Sequence, residues 1–222
     1  AMVEVIDDLG GLDLEITQGE MQQNNKYKWE VDKATGLTTP DVTQYGKVHL
    51  DGTQATTYAR IRKLAGDDFK RASRQRIVLQ AILEKAKKAD LSTLTSICNS
   101  VVDDISTTLS LSEMLSLAKD VGSYKISSTT GFPFDLTTEK LPDSGDTVIP
   151  ADLMTNVKKL HEYMFDDTTY VPSQTVQTIS SAIVNATGIT TNSALINTSD
   201  YNETVGAVGT DGIKKGSETT GE

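Results

Sequence analysis

The sequence is poor in the features that would place it quickly in a class of proteins. Its single cysteine, Cys98, excludes an internal disulfide, which fits a reducing compartment and equally the exterior of a Gram-positive bacterium. Its two histidines, His49 and His161, lie far apart with no other ligand at metal-binding spacing, which disfavours a zinc site. No apolar run reaches the roughly 18 residues of a membrane span, and neither a P-loop nor a Gly-x-Ser-x-Gly motif occurs.

Charge is unevenly distributed along the chain. The net charge is −10, which disfavours a general nucleic-acid-binding protein. Between Arg60 and Lys88, however, ten Lys and Arg residues face only three acidic ones, a local charge of +7. This basic island is either a focused site for an anion or the solvated face of a basic helix, and composition alone leaves both interpretations open.

Hydrophobic periodicity alternates between helical and extended patterns, which predicts an α/β protein with helices flanking a central mixed sheet. The segment 17–43 is polar and is predicted to be a loop with a short helix near 19–24. The sequence after Gly188 is rich in Thr, Gly, Ser and Asn and predicts a weakly structured tail. Helices are predicted over 3–9, from Asp51-Gly52 onward, 69–89, 91–104, 111–121, 152–165 and 173–186, and strands over 12–16, 46–50, 124–134 and 147–149.

The basic island contains a set of side chains suited to phosphate chemistry. Arg60 and Arg62 point to one side if their segment is extended, and Arg71 and Gln75 share a helix face at i and i+4. Asp67 or Asp68 is a predicted N-cap of that helix, whose N-terminus presents free N–H groups. Arginines keep their charge and bind phosphate oxygens in pairs, so this set fits two linked phosphates.

The order of these residues resembles a known family. Residues 50–63 read LDGTQATTYARIRK and residues 66–76 read GDDFKRASRQR, which together are similar to the motifs of the LytR-CpsA-Psr family. Residues 6–14, IDDLGGLDL, look like the helix–Gly-Gly–strand element of the same family. The resemblance covers about residues 1–165 and implies the C-terminal portion of a LytR-CpsA-Psr-like domain with its α-β-α fold, followed over 166–222 by a helix and a polar tail.

The resemblance implies an extracytoplasmic, membrane-anchored cell-wall enzyme of Gram-positive type. Such a phosphotransferase moves a glycopolymer, such as teichoic acid or capsular polysaccharide, from a polyprenyl pyrophosphate carrier to peptidoglycan. It forms a phosphodiester on a muramic acid hydroxyl. The implied site residues are Arg60, Arg62, Arg71 and Gln75 for the pyrophosphate, Asp68 and Arg71 for catalysis, and Asp67 and Arg74 in secondary roles.

Some family features have no counterpart in this sequence. Family members use Mg²⁺ and carry an N-terminal membrane anchor, and neither the metal ligands nor the anchor is recognisable here. Two other functions therefore stay open beside the phosphotransferase. One is a non-catalytic module that binds a polyprenyl phosphate or an anionic glycan, and the other is a pyrophosphate hydrolase.

Overall fold

The computed structural model describes residues 1–62, 67–193 and 195–197, apart from the side chains of 67, 68 and 197. They form two compact units, one ending at Ser127 and one beginning at Ser128. The first unit contains α1 (Met2–Asp8), β1 (Leu12–Ile16), α2 (Gln18–Thr35), β2 (Gly46–Leu50), α3 (Gly52–Arg60), α4 (Asp67–Ala86), α5 (Leu91–Val101), α6 (Leu111–Lys119) and a 3-10 turn (Val121–Ser123). The second contains β3 (Asp135–Leu141), β4 (Gly145–Pro150), α7 (Leu153–Phe165), α8 (Gln174–Thr187) and β5 (Ile196–Asn197).

The core of the first unit lies between a two-stranded sheet and helices α3 and α4. Strands β1 and β2 pair antiparallel, with Leu12 opposite Leu50. Every second residue of β1 is buried, as a strand with one face on the core requires. The buried cluster comprises Ile6, Leu12, Leu14, Ile16, Val42, Leu50, Ala55, Tyr58, Ile61, Ile77, Val78 and Ala81. This cluster fixes α3 and α4, the helices that carry the predicted site.

Two glycines permit close approaches around β2 and the start of α3. Gly11 has a φ of +77°, and a Cβ there would lie 2.5 Å from the His49 ring. A Cβ at Gly52 would lie 2.2 Å from the carbonyl oxygen of Val3, so only glycine lets α3 begin against α1. The Asp-Gly pair of the sequence motif is thereby explained by packing.

Helix α2 corrects the prediction of a loop over 17–43. It runs for 18 residues from a capping box, in which the side chain of Thr17 accepts from Glu20 N and that of Glu20 accepts from Thr17 N. It ends at Gly36 in the left-handed conformation. Its buried positions include Glu20 and Asn24 beside Val31, so an inner face that is largely polar hid the helical periodicity.

The second unit is built on an antiparallel sheet ordered β4-β3-β5. Asn156 of α7 is fully buried, and its Oδ1 accepts from Phe134 N at 2.6 Å and Asp135 N at 3.0 Å. Its Nδ2 donates to the carbonyl oxygens of Asp135 at 2.9 Å and Asp152 at 2.8 Å. One side chain therefore joins α7 to the start of β3.

The predicted α/β class is confirmed, and the described strands form two small antiparallel sheets. The strand predicted over 124–134 is wrong, because this segment has no strand and the next strand, β3, begins at Asp135. The predicted domain boundary between residues 165 and 166 falls inside the second unit and stays a prediction. No helix in the described ranges is long and apolar enough to cross a membrane. The tail predicted after Gly188 contains β5, which pairs with β3, and its residues from 198 onward lie outside the described residues.

Candidate functional site

The predicted site begins where α3 ends. A second capping box starts this helix, with Gln54 N donating to Asp51 Oδ1 at 2.8 Å and Asp51 N donating to Gln54 Oε1 at 3.1 Å. Burial raises the pKa of the Asp51 carboxyl, although the backbone of Gln54 donates to it. Buried Tyr58 anchors the inner face of the helix. The start and the inner face of α3 are therefore structural, and its C-terminal residue, Arg60, reaches solvent.

Arg60 and Arg62 flank a buried isoleucine. Arg60 is the last residue of α3, so the segment from Arg60 to Arg62 is not extended throughout, and the condition under which the two side chains would share one side is not met. Only Ile61 between them is shown as extended, with φ −58° and ψ 126°, and it is 3% exposed. Buried Tyr58 holds the last turn of α3 in the core. Both arginines are exposed at the surface on either side of this anchor.

Arg60 has an acidic neighbour on α2. Its Nη2 lies 3.4 Å from Glu30 Oε2, and the two side chains are 54% and 41% exposed. An exposed pair at this distance contributes about 0–1 kcal/mol, since solvent screens it and two long side chains must be ordered. An anionic ligand can therefore replace Glu30 at Arg60 at little cost in free energy.

Arg74 of α4 holds the segment between the two exposed arginines. Arg74 is 4% exposed, and its Nε donates to Glu20 Oε1 at 2.7 Å. Its Nη1 donates to the carbonyl oxygen of Ile61 at 3.2 Å. Glu20 Oε2 also accepts from Thr17 N at 2.8 Å, so one carboxylate joins the start of α2 to α4. The sequence analysis did not identify Glu20 as a partner of Arg74, although Thr17-x-x-Glu20 is a recognisable capping signal.

The remaining predicted residues lie on α4. Arg71 is half-buried and Gln75, one turn later, is exposed, so the two mark a side of the helix that reaches solvent. Burial lowers the pKa of the neighbouring Arg76 guanidinium from its usual value. Asp67 and Asp68 are the first two residues of α4, so the prediction that one of them is the N-cap before the helix is wrong. Their side chains lie outside the described residues, and their predicted secondary and catalytic roles stay predictions.

Taken together, the structure links the end of α3 to α4 through Arg74 and places Arg60, Arg62 and Gln75 at the surface. Exposed guanidiniums on a fixed backbone can bind phosphate oxygens and stabilise charge that develops during phosphoryl transfer. Among the described residues, no group of three or more His, Cys, Asp or Glu side chains could hold a metal ion. The requirement for Mg²⁺ implied by the resemblance therefore stays a prediction.

Comparisons with known proteins agree with the sequence motifs. The model of the LytR_cpsA_psr family matches residues 1–133. No curated protein sequence matches the chain. A solved structure of an Enterococcus faecalis transcriptional regulator is 19% identical with a TM-score of 0.52, over 83% of this chain and 62% of that one. This similarity supports a shared fold.

Two further solved structures are similar at lower TM-scores. One is TagT bound to LIIa-WTA, with 21% identity and a TM-score of 0.45 over 85% of this chain and 58% of that one. The other is B. subtilis TagV, with 20% identity and a TM-score of 0.49 over 77% of this chain and 61% of that one. The chain thus spans about three fifths of the length of the solved structures that it matches.

Proposed function

Because this chain belongs to the LytR_cpsA_psr family, a family of cell-wall glycopolymer transferases, we propose that it acts on a glycopolymer carried by polyprenyl pyrophosphate. The proposed reaction transfers the polymer to peptidoglycan through a phosphodiester bond. Family members are associated with the cell envelope. We place this protein outside the cytoplasm, attached to the membrane through an N-terminal anchor.

The proposed reaction is an in-line phosphoryl transfer. A muramic acid hydroxyl oxygen attacks the phosphorus that bears the glycan, and the bond from that phosphorus to the bridging oxygen breaks. The bridging oxygen leaves with the second phosphorus as polyprenyl phosphate, and the hydroxyl proton passes to a base. Negative charge grows on the bridging and peripheral oxygens, where arginines stabilise it. We assign this stabilisation to Arg60, Arg62 and Arg71. Gln75 is assigned a hydrogen bond to the same pyrophosphate, and Asp68 is assigned the positioning of the attacking hydroxyl.

The observation that carries the proposal is the fixed backbone between Arg60 and Arg62. Ile61 is buried between them, and its carbonyl oxygen accepts from the buried Arg74. The two guanidiniums therefore extend from a rigid base, which lowers the conformational entropy lost when they bind a diphosphate. The exposed contact with Glu30, which competes for Arg60, is weak.

Calorimetric titration with a short-chain polyprenyl pyrophosphate tests this assignment. We expect the wild-type chain to bind and the double variant Arg60→Ala, Arg71→Ala to lose at least about tenfold in affinity, equivalent to about 1.4 kcal/mol. The control Lys47→Ala, Lys88→Ala removes the same charge from exposed lysines of the same unit and should bind like wild type. Circular dichroism checks that every variant is folded. Equal affinity in wild type and the arginine variant would refute the assignment.

Product analysis separates the phosphotransferase from the two alternatives. With a muramic acid acceptor and Mg²⁺, a phosphodiester-linked product supports transfer. Glycan phosphate formed without acceptor indicates a hydrolase, since water has replaced the hydroxyl. Binding without either product in the full-length protein assigns the arginines to a non-catalytic binding module.

A further inference from the structure

The outer face of α2 carries a stripe that the proposed chemistry does not use. Gln22, Lys26, Trp29 and Lys33 are all exposed and recur at i, i+4, i+7 and i+11, which places them on one face of the helix. We call them the α2 stripe. Trp29 is the single tryptophan of the chain and is 56% exposed. A large aromatic side chain exposed on a well-anchored helix is available to stack on a ligand.

The helix presents this stripe on a rigid support. On the opposite face, the Nδ2 of fully buried Asn24 donates to the carbonyl oxygen of Gln54 at 2.7 Å, and Val31 is buried. On one flank, Asn25 both donates to Val42 O and accepts from Val42 N, each at 2.8 Å. The stripe therefore points outward in a fixed orientation.

The charge of the stripe favours an anionic ligand. Lys26 and Lys33 lie about one turn before and after Trp29, and Lys26 Nζ lies 5.7 Å from the centre of the Tyr27 ring. Neither lysine forms an ion pair with another residue in the described ranges, in a chain whose net charge is −10. An indole face attracts the polarised C–H groups of a sugar ring, and the lysines attract phosphate groups on either side of that ring. Together they match an alternating sugar–phosphate polymer.

The stripe also lies beside the predicted pyrophosphate site. Glu30 is positioned on the flank of the stripe next to Lys26 and Lys33, and its carboxylate contacts Arg60 at 3.4 Å. A ligand whose pyrophosphate is bound at Arg60 therefore has the stripe within reach of its glycan portion. We propose that the α2 stripe is a subsite for the sugar–phosphate repeats of the transferred polymer, with Trp29 stacking on a sugar ring. The inference rests on the proposed function for its substrate, and on Trp29, Lys26 and Lys33 for its location.

An anionic membrane surface would also attract lysines beside a tryptophan. Helices that lie in a membrane interface bury a continuous apolar face with several large residues. The α2 stripe has one apolar side chain, Trp29, among one glutamine and two lysines. The composition therefore favours a glycan, and a membrane is tested as the competing outcome.

The fluorescence of Trp29 gives a direct test. A short poly(glycerol phosphate) oligomer bearing hexose substituents should shift the emission and bind with a measurable Kd. The same oligomer without hexoses should bind more weakly and leave the emission nearly unchanged. By calorimetry, Trp29→Ala should weaken binding of the substituted oligomer about tenfold, and Trp29→Phe should restore part of it.

The lysines are tested by a charge-matched comparison. Lys26→Ala, Lys33→Ala should weaken binding of the oligomer and flatten its dependence on salt, whereas Lys47→Ala, Lys88→Ala should do neither. Equal affinity in wild type and both stripe variants would overturn the inference. So would loss of binding to anionic phospholipid vesicles in the stripe variants with unchanged binding of the oligomer.

Inorganic pyrophosphate separates this inference from the proposed function. The Trp29 variants should bind it like wild type, because pyrophosphate has no sugar to stack on Trp29. If oligomer binding depends on the stripe while pyrophosphate binding is insensitive to Arg60→Ala, Arg71→Ala, the stripe assignment stands and the arginine assignment fails. If pyrophosphate binding depends on the arginines and oligomer binding is unchanged in the stripe variants, the arginine assignment stands and the stripe assignment fails.

Discussion

Replacing Arg74 with methionine should destabilise the first unit by about 3 kcal/mol, near the lower end of the cost of breaking a buried ion pair. The side chains of Arg74 and Glu20 are 5% and 11% exposed, so water cannot replace the lost contact. Methionine fills similar space, which limits any cavity. The Thr17 backbone still donates to Glu20 Oε2 at 2.8 Å, so the carboxylate keeps part of its hydrogen bonding. The lost bonds are those from Arg74 to Glu20 Oε1 and to Ile61 O.

A double-mutant cycle isolates the interaction energy between Arg74 and Glu20. Glu20→Gln keeps the capping box, because a glutamine at N3 can accept from the N-cap backbone. It leaves Arg74 buried without a counter-charge and should also destabilise. The combined variant Glu20→Gln, Arg74→Met removes both charges and should cost less than the sum of the single changes, since neither charge is then stranded.

Urea unfolding followed by Trp29 fluorescence provides the assay. Trp29 lies on α2, the helix that carries Glu20, so it reports on the unit in question. Arg60→Met is the matched control, because it makes the same chemical change at an exposed pair and should cost less than about 1 kcal/mol. The assignment of Arg74 to a buried structural pair would be refuted if Arg60→Met and Arg74→Met lowered the unfolding free energy equally. It would also be refuted if the effects of Glu20→Gln and Arg74→Met on the unfolding free energy were strictly additive.

Two further predictions concern other parts of the chain. Asn156→Leu should lower the unfolding free energy by about 2–5 kcal/mol, because it leaves buried N–H and C=O groups without partners. Hydrogen exchange of the backbone at the start of β3 should become faster, and unchanged exchange there would contradict the role of Asn156. The pKa of Asp13 is lowered mainly by its hydrogen bond with His49 and also by Lys85. The ionised carboxylate therefore stabilises the folded state above the unfolded pKa of about 4, and this contribution is lost as the pH falls through the folded pKa. Asp13→Asn should therefore lower the unfolding free energy by less than about 1 kcal/mol near pH 6, and this difference from wild type should shrink as the pH falls below about 4; a difference that stays constant with pH would contradict the linkage.

Helices with an apolar stripe could be predicted from the sequence, and α2 could not. The helices α7 and α8 were predicted nearly to the residue, because each has regular apolar positions and a capping residue, Asp152 or Ser173. Helix α2 places Glu20 and Asn24 at its buried positions. Those side chains become favourable in the interior only through partners distant in sequence, which no local pattern reveals.

The backbone geometry around the candidate residues could not be predicted from the motif. The spacing of Arg60 and Arg62 suggested an extended segment with both side chains on one side. Packing of the last turn of α3 decided otherwise, because Tyr58 and Ile61 are both buried and a helical turn brings them to the same side. Arg60 therefore ends a helix and Arg62 follows the buried Ile61, and this arrangement depends on core contacts that the motif does not encode locally.

Arg71 and Arg74 show why charge alone does not identify a phosphate ligand. Both lie on α4 three residues apart, and the motif contains both. Arg74 is turned into the interior by Glu20, a partner 54 residues away, whereas Arg71 lies on the side marked by exposed Gln75. The two residues should therefore separate experimentally. Arg71→Ala should lower diphosphate affinity with little change in the unfolding of α2, whereas Arg74→Met should lower the stability first and affect affinity only through the backbone of Ile61.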